Sequence, residues 1–147
     1  MNAATILKFK GSGVVTTNAN KSLLNIAKML AEHGIGCIVI VGDDDKIEGI
    51  VSERDLMRAI GRGGSEVLKE PVSDFMTKIV VTAREADTTN RLMSEMTMRR
   101  FRHMPVVERD RLIGVISIGD LVKTQIARDQ DGGGRNARIH RINLGFA

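Results

Sequence analysis

The sequence predicts an α/β (α+β) fold made of two tandem β-α-β-β-α repeats packed on each other. Three observations point to it. The segment VVTTNANKSLLNIAKMLAEHGIGCIVIV, from Val14 to Val41, lies over VVTAREADTTNRLMSEMTMRRFRHMPVV, from Val80 to Val107, at a constant shift of 66, with Ile26 over Leu92 and Leu30 over Met96. With one loop residue dropped from GDDDKIEG relative to ERDRLIG, GIVSERDLMRAI lies over GVISIGDLVKTQI at a shift of 65, which pairs Ser52 with Ser117 and Asp55 with Asp120. Agreement of apolar pattern, loop position and polar residues over this length marks an internal duplication. The third observation is size: one copy of roughly 50 residues is marginal alone, so the copies are expected to bury their apolar faces against each other.

Each element of the first copy has a local reason. Val14 to Thr17 is a short β-branched strand, and Ser22 is a plausible N-cap for a helix whose residues 23, 26, 27, 30 and 31 form one apolar face. Gly34 ends that helix. Ile35 to Val41 is a nearly unbroken apolar run, as in a strand covered on both faces. Gly42-Asp43-Asp44-Asp45 is a turn, Lys46 to Val51 is the returning strand, and Ser52 starts a second helix reaching from Leu56 to about Ile60. Gly61 to Ser65 and Pro71 mark a linker, with SDFMT (73–77) as a turn or short helix into the second copy. The expected organisation is a first unit over 5–62, a linker over 63–76, a second unit over 77–128, and a basic, mobile tail over 129–147.

Composition sets the outer limits. With 42% hydrophobic and 27% charged residues the chain is globular rather than disordered, and with four Phe and no Trp or Tyr its core must be aliphatic. No apolar run approaches the about 20 residues needed to span a bilayer, and the amino terminus lacks the pattern of a secretory signal, so a cytoplasmic protein is expected. Cys37, the sole cysteine, lies in the apolar run GIGCIVIV and reads as a buried, inert thiol. The formal charge of +4 owes much to the tail, which carries Arg135, Arg138 and Arg141 and no acid after residue 131. Phosphate-binding loops, dinucleotide fingerprints, nucleophile elbows and zinc-ligand spacings are absent, so no catalytic residue, metal site or catalytic cofactor is expected.

The Ser52-x-x-Asp55 stretch reads first as a capping box, in which the Ser oxygen accepts an N3 amide and the N3 carboxylate reaches back to the cap. The same geometry suits a ligand. A helix amino terminus presents unpaired N–H groups and partial positive charge to a phosphate, while a carboxylate beside it accepts the hydroxyls of a ribose. Cap and ligand site do not exclude each other.

The duplicated pattern, closed by G-I-V-S-x-x-D and G-V-I-S-x-x-D and with F-R-H-M-P-V-V ahead of the second, resembles the cystathionine-β-synthase (CBS) domain pair, or Bateman module, over roughly Thr5 to Arg128. The resemblance implies pseudo-two-fold packing of the repeats, a non-catalytic regulatory role of the stand-alone bacterial type, and an adenine nucleotide in the clefts between the repeats. By resemblance, ribose falls to Asp55 and Asp120, and the phosphate side to Ser52 and Ser117. Basic residues at Arg102 and His103, ahead of Met104 and Pro105, would meet phosphates; a charged, solvent-facing strand edge is the competing reading. Arg54 could reach the same anion or pair with Glu53 or Glu48. Thr16, Thr17 and Thr82 end the first strands, where hydroxyls could meet an adenine edge or simply serve β-propensity. Gly36, Cys37 and Ile38 hold the equivalent of the Arg102 stretch, and an apolar wall of Ile38, Val39, Met104 and Val106 is expected against the base. The copies differ, since Gly36-Cys37 stands where the second has Arg102-His103, and Gly119 stands where the first has Arg54, so one cleft can be complete and the other degraded, or the two can take different nucleotides.

AMP, ADP, ATP and NAD(H) all share the adenosine such a cleft would hold; S-adenosylmethionine gives the basic residues nothing to bind. A homodimer through the helices and a regulated partner protein of unknown identity are implied. Two rival readings stand beside the sensor. One is a nucleic-acid-binding protein using the tail with Arg99, Arg100 and Arg102, against which the lack of Tyr and Trp for base stacking counts. The other is a scaffold with empty clefts.

Overall fold

Residues that correspond in the duplication take corresponding conformations in the computed structural model, which describes residues 1–11 and 13–131. In the first copy β1 (Thr16–Thr17) runs parallel to β2 (Cys37–Val41), and β2 pairs antiparallel with β3 (Ile47–Ser52), with α2 (Leu23–His33) between β1 and β2 and α3 (Glu53–Gly63) after β3. In the second copy α4 (Thr89–Arg99) leads to the antiparallel pair β4 (His103–Glu108) and β5 (Arg111–Ser117), followed by α5 (Ile118–Asp131). A further helix, α1 (Ala3–Lys10), precedes the first copy.

The likeness extends to single bonds. Ser22 and Thr88 cap α2 and α4 through the amides of Asn25 and Arg91. Cys37 faces Ser52 across one ladder and His103 faces Ser117 across the other, and both ladders slip register at the same place, Ile40/Val41 and Val106/Val107. The helix after each ladder is tied back in the same way, with Glu53 N donating to Gly36 O at 2.9 Å and Ile118 N to Arg102 O at 2.8 Å. One difference has a local cause. The second copy's leading strand is reduced to a bridge between Ala83 and Val106, the counterpart of Thr17 and Ile40. Pro105 has no N–H with which to extend a parallel ladder towards Val81, so pairing stops there. The expected Val14–Thr17 strand is itself trimmed to its last two residues.

Two cores result. Leu23, Ile26, Leu30, Ile38, Ile40 and Val51 centre the first, and Leu92, Met96, Met104, Val106, Ile116 and Leu121 the second. What joins them is an exchange of leading segments. Residues 70–73 precede the second copy but bond to the first, with Leu23 N donating to Glu70 O, Val72 N to Lys21 O and Ser73 N to Ala19 O. Residues 1–4 precede the first copy but bond to the second by the same scheme, with Thr89 N donating to Met1 O, Ala3 N to Asp87 O and Ala4 N to Glu85 O. Accordingly Ala3 and Ile6 of α1 are buried in the second core and Val72 in the first. Gly49 and Gly114, equivalent positions on β3 and β5, are where the segments come closest: a Cβ on Gly49 would lie 2.6 Å from Met76 Sδ, and one on Gly114 would overlap Leu7. A side chain at either glycine would force the facing Met76 or Leu7 side chain to move.

Between the copies the chain makes two short 3₁₀ turns, Ser65–Lys69 and Val72–Asp74. The expected tail over 129–147 begins while α5 is still helical, and its part from residue 132 lies outside the described residues. Among the described residues no helix is long and apolar enough to cross a membrane.

Candidate functional site

Ser52 and Asp55 form the capping box that their spacing predicts. Ser52 N donates to Asp55 Oδ2 at 2.8 Å, and Asp55 N donates to Ser52 Oγ at 3.4 Å. Ser52 Oγ also lies 3.1 Å from Asp55 Oδ2. The box uses one carboxylate oxygen, and Oδ1 has no hydrogen bond among the described residues. Ser117 and Asp120 repeat the box at the start of α5, with bonds of 2.8 Å and 3.1 Å.

Around Asp55 the two copies leave a cavity of about 420 Å³, within the usual size of a small-molecule site. The first copy contributes Cys37, Ile50 and the opening turns of α3 with Ser52, Arg54, Asp55 and Arg58. The second contributes the end of α4 and start of β4, Arg99 to His103; Thr77 and Ile79 to Val81 complete the wall. Five arginines (54, 58, 99, 100 and 102) thus face two carboxylates, Glu53 and Asp55, in one lining. Arg99 is held by Glu95 at 2.8 Å, whereas Arg54, Arg58 and Arg100 have no ion pair among the described residues. Such a concentration of guanidinium groups beside a helix amino terminus attracts anions with several oxygens. Ile50, Ile79, Val80, Val81 and Phe101 supply apolar surface for a flat ring.

Of the residues singled out from sequence, Cys37, Ser52, Arg54, Asp55, Arg102 and His103 are brought together here. The others lie elsewhere. Ile38, Val39, Met104, Pro105 and Val106 are buried inside the two halves and do not line the cavity, so its apolar wall is a different set of residues. Thr16 and Thr17 form β1, Thr82 is exposed beside the Ala83 bridge, and none of the three is in the lining. Gly36 backs onto the second copy, where a Cβ would sit 3.2 Å from His103 Nε2. Ser117 and Asp120 are at the opposite, pseudo-equivalent position.

Asp120 is engaged in a way that Asp55 is not. Lys10, the last residue of α1, places Nζ 2.8 Å from Asp120 Oδ2 and 2.6 Å from Val115 O. Burial pushes the Asp120 carboxyl up, but the bonds from Lys10 and Ser117 together outweigh it and hold it below the usual carboxylate value. Burial first, and then the Lys10 charge, keep His103 below the ordinary imidazole value, which favours its neutral form. Cys37 is pushed up to about 12, chiefly by burial, so its thiol is inert near neutral pH. Among the described residues no group of His, Cys, Asp and Glu could hold a metal ion.

Sequence reasoning missed Arg58, Phe101 and the 79–81 wall, and gave Arg99 and Arg100 only to the rival nucleic-acid reading. Arg58 was within reach of it, since it follows Arg54 and Asp55 by four and three residues and shares their helix face. Lys10 carried no local signal.

Comparison with known proteins agrees with this architecture. The family model described as "CBS domain" matches residues 11–62 and 72–126. The crystal structure of a CBS-domain containing protein from Agrobacterium tumefaciens is similar at 42% identity and a TM-score of 0.83, covering 85% of this chain and 99% of that one. Two further structures share the fold at 23% identity. A CBS domain protein from Pyrobaculum aerophilum complexed with AMP has a TM-score of 0.76 over 90% of this chain and 100% of its own. A CBS domain pair in complex with 5′-methylthioadenosine and S-adenosyl-L-methionine has one of 0.78 over 87% and 98%. The chain spans 64% and 63% of the length of the first curated relatives it matches.

Proposed function

This chain belongs to the CBS domain family, and we propose that it is a non-catalytic regulatory module that binds an adenine nucleotide in the cleft at Asp55. The observation that carries the reading is the lining of that cleft: a carboxylate with one oxygen unengaged among the described residues, beside a helix amino terminus and five arginines. The carboxylate accepts ribose hydroxyls and the arginines take the phosphates, with apolar surface from Val80, Val81 and Phe101 available to the base. AMP, ADP, ATP and NAD(H) fit this chemistry, and the number of guanidinium groups favours the phosphate-rich members. S-adenosylmethionine, with a sulfonium and no phosphate, offers the arginines only its carboxylate. Fold neighbours carrying AMP, or a methylthioadenosine with S-adenosylmethionine, support an adenosine ligand without choosing among these.

Regulation follows from differential binding. The cavity is walled by both copies, so a nucleotide stabilises whichever arrangement of the halves lets Asp55 and Arg102 hold it together, and shifts the equilibrium only by that preference. Exposed Met57 and Ile60 on α3 and Ile126 on α5 support a homodimer through the helices, which sedimentation equilibrium tests. A cytoplasmic location and a separate regulated protein complete the proposal.

The chain has no Trp or Tyr, so the ultraviolet absorbance of a purified sample reports carried nucleotide directly. Denaturing the protein and analysing the filtrate by mass spectrometry names it, and calorimetric titration with AMP, ATP and NADH measures the affinity. An adenine nucleotide that binds wild type and is lost in Asp55→Ala is expected. An empty filtrate with no heat from any of the three overturns the reading.

A further inference from the structure

The two SxxD carboxylates are equivalent in sequence and in capping, yet only one opens onto the arginine-lined cavity. The cause lies in the exchanged leading segments. In the first copy the carbonyl of Ile50 accepts from the backbone amide of Thr77 at 2.9 Å, and Ile50 N returns a bond to Thr77 O at 3.0 Å. In the second copy the equivalent carbonyl, Val115 O, accepts from the side-chain ammonium of Lys10. A backbone amide ends where it bonds. An ammonium has three donors, and Lys10 spends a second on Asp120 Oδ2.

We propose that Lys10 is a built-in occupant of the second cleft: its ammonium takes the carboxylate that a ribose would need, and restricts the chain to one nucleotide, at Asp55. This rests on the nucleotide reading of the Asp55 cleft. Three observations carry it. The carboxylate of the pair is partly shielded, at 18% side-chain exposure, while the Lys10 side chain at 39% remains open to solvent, so the pair is screened somewhat less than one between two fully exposed groups. The helix that carries Lys10 is set by packing, because Ala3 and Ile6 are buried in the second core and Leu7 covers Gly114. By equivalence in the duplication its surroundings are also poorer in arginine, with Gly34 and Gly36 at the positions of Arg100 and Arg102, and Gly119 in place of Arg54. A phosphate arriving there finds fewer partners to offset the loss of the Lys10–Asp120 pair. Lys10 is therefore a specificity-determining residue that sets how many ligands the module takes.

The test counts nucleotides per chain by native mass spectrometry and by equilibrium dialysis with ATP and, separately, AMP. Wild type is expected to bind one. Lys10→Ala removes both charge and reach, and Lys10→Met removes the charge but keeps the packing stem in case the shorter side chain disturbs α1; each is expected to bind two. The gained site should vanish in Lys10→Ala/Asp120→Ala and survive in Lys10→Ala/Asp55→Ala. A wild-type protein that already binds two, or Lys10 variants that stay at one, overturns the inference while leaving the Asp55 reading intact. A wild type that binds none, with a site in Lys10→Ala that Asp120→Ala abolishes, supports the role of Lys10 and overturns the Asp55 reading instead. No binding by either protein overturns both.

Discussion

The first copy ends its second helix-strand passage with Gly34, Gly36 and Cys37; the second copy has Arg100, Arg102 and His103 at the same places. The backbone scarcely registers the change. Gly34 and Arg100 both sit in the left-handed region, at φ 61° and 58°, and Gly36 O and Arg102 O accept the same helix-start amide. The side chains decide the outcome, since the arginine-bearing start of β4 turns to the Asp55 cavity of the other half, while the glycine-bearing start of β2 and the Lys10 contact leave Asp120 committed internally. One scaffold stands twice in the chain, and a handful of differing residues set Asp55 and Asp120 in unequal surroundings.

The largest test of that comparison concerns the part the copies share. Ile26 and Leu92 are equivalent and both fully buried, so Ile26→Ala and Leu92→Ala are each expected to cost about 3 kcal/mol. Because residues 1–10 are built into the second core and residues 70–76 into the first, either substitution should lower one common transition in denaturant. Two separate transitions, with only one moved by each variant, would show that the exchanged segments do not couple the halves.

Next in size is the asymmetry of the clefts. Asp55→Ala removes a charged acceptor for the ribose and is expected to weaken nucleotide binding by about 100-fold in calorimetry. The same change deletes half of a capping box, so thermal unfolding should also fall by about 1 kcal/mol. Asp55→Asn separates the two effects, since it retains an acceptor for the Ser52 amide while losing the charge. Binding that survives both variants would detach the cavity from this carboxylate.

The ion pair in the second cleft adds a pH signature. The Asp120 carboxyl is held below its ordinary value, so its contribution to stability is complete above the unfolded carboxylate range and is lost as pH falls through that range to the lowered one. A half-screened pair of this kind is worth about 1 kcal/mol. Lys10→Ala should flatten that acid limb. His103, also lowered, acts at milder pH: the unfolded chain takes up a proton first, so stability declines as pH drops below the usual imidazole value of about 6.5, and His103→Gln should remove this earlier step. Denaturant titrations at stepped pH read both limbs.

Much of the shared scaffold was legible because it is written locally. Ser22, Gly34, Ser52 and the apolar faces of α2 and α4 act within a turn or two of themselves, and the repeat doubled each signal. The site was legible only where it coincides with such a signal, as at Ser52, Asp55, Arg102 and His103. Val80 and Val81 join it from the stretch ahead of the Ala83 bridge and Phe101 from the turn between α4 and β4, and Lys10 reaches Asp120 across 110 residues of sequence because α1 crosses to the other half. Neither has a period or a motif. Ile38 and Met104 show the converse: their apolar runs marked them correctly as strand, and the sheets then buried them away from the cavity.

The smallest effect tests the comparison at its most local point. Arg100 occupies the left-handed helix-ending position that the first copy gives to Gly34, and a residue with a Cβ is strained there. Arg100→Gly should relieve the strain and raise stability by about 0.5 kcal/mol, after the extra entropy of glycine in the unfolded chain is set against it. The guanidinium also lines the cavity, so the same variant should bind ATP several-fold more weakly, and AMP with a smaller loss because fewer phosphate oxygens depend on it. Arg100→Lys keeps the strain and a charge but not the planar fork, and should leave stability unchanged while weakening ATP less than the glycine variant does. A gain in stability paired with a loss in affinity identifies Arg100 as a residue strained on behalf of the ligand. A glycine variant that is more stable and binds ATP as wild type does would instead make Arg100 an incidental departure from the first copy's glycine.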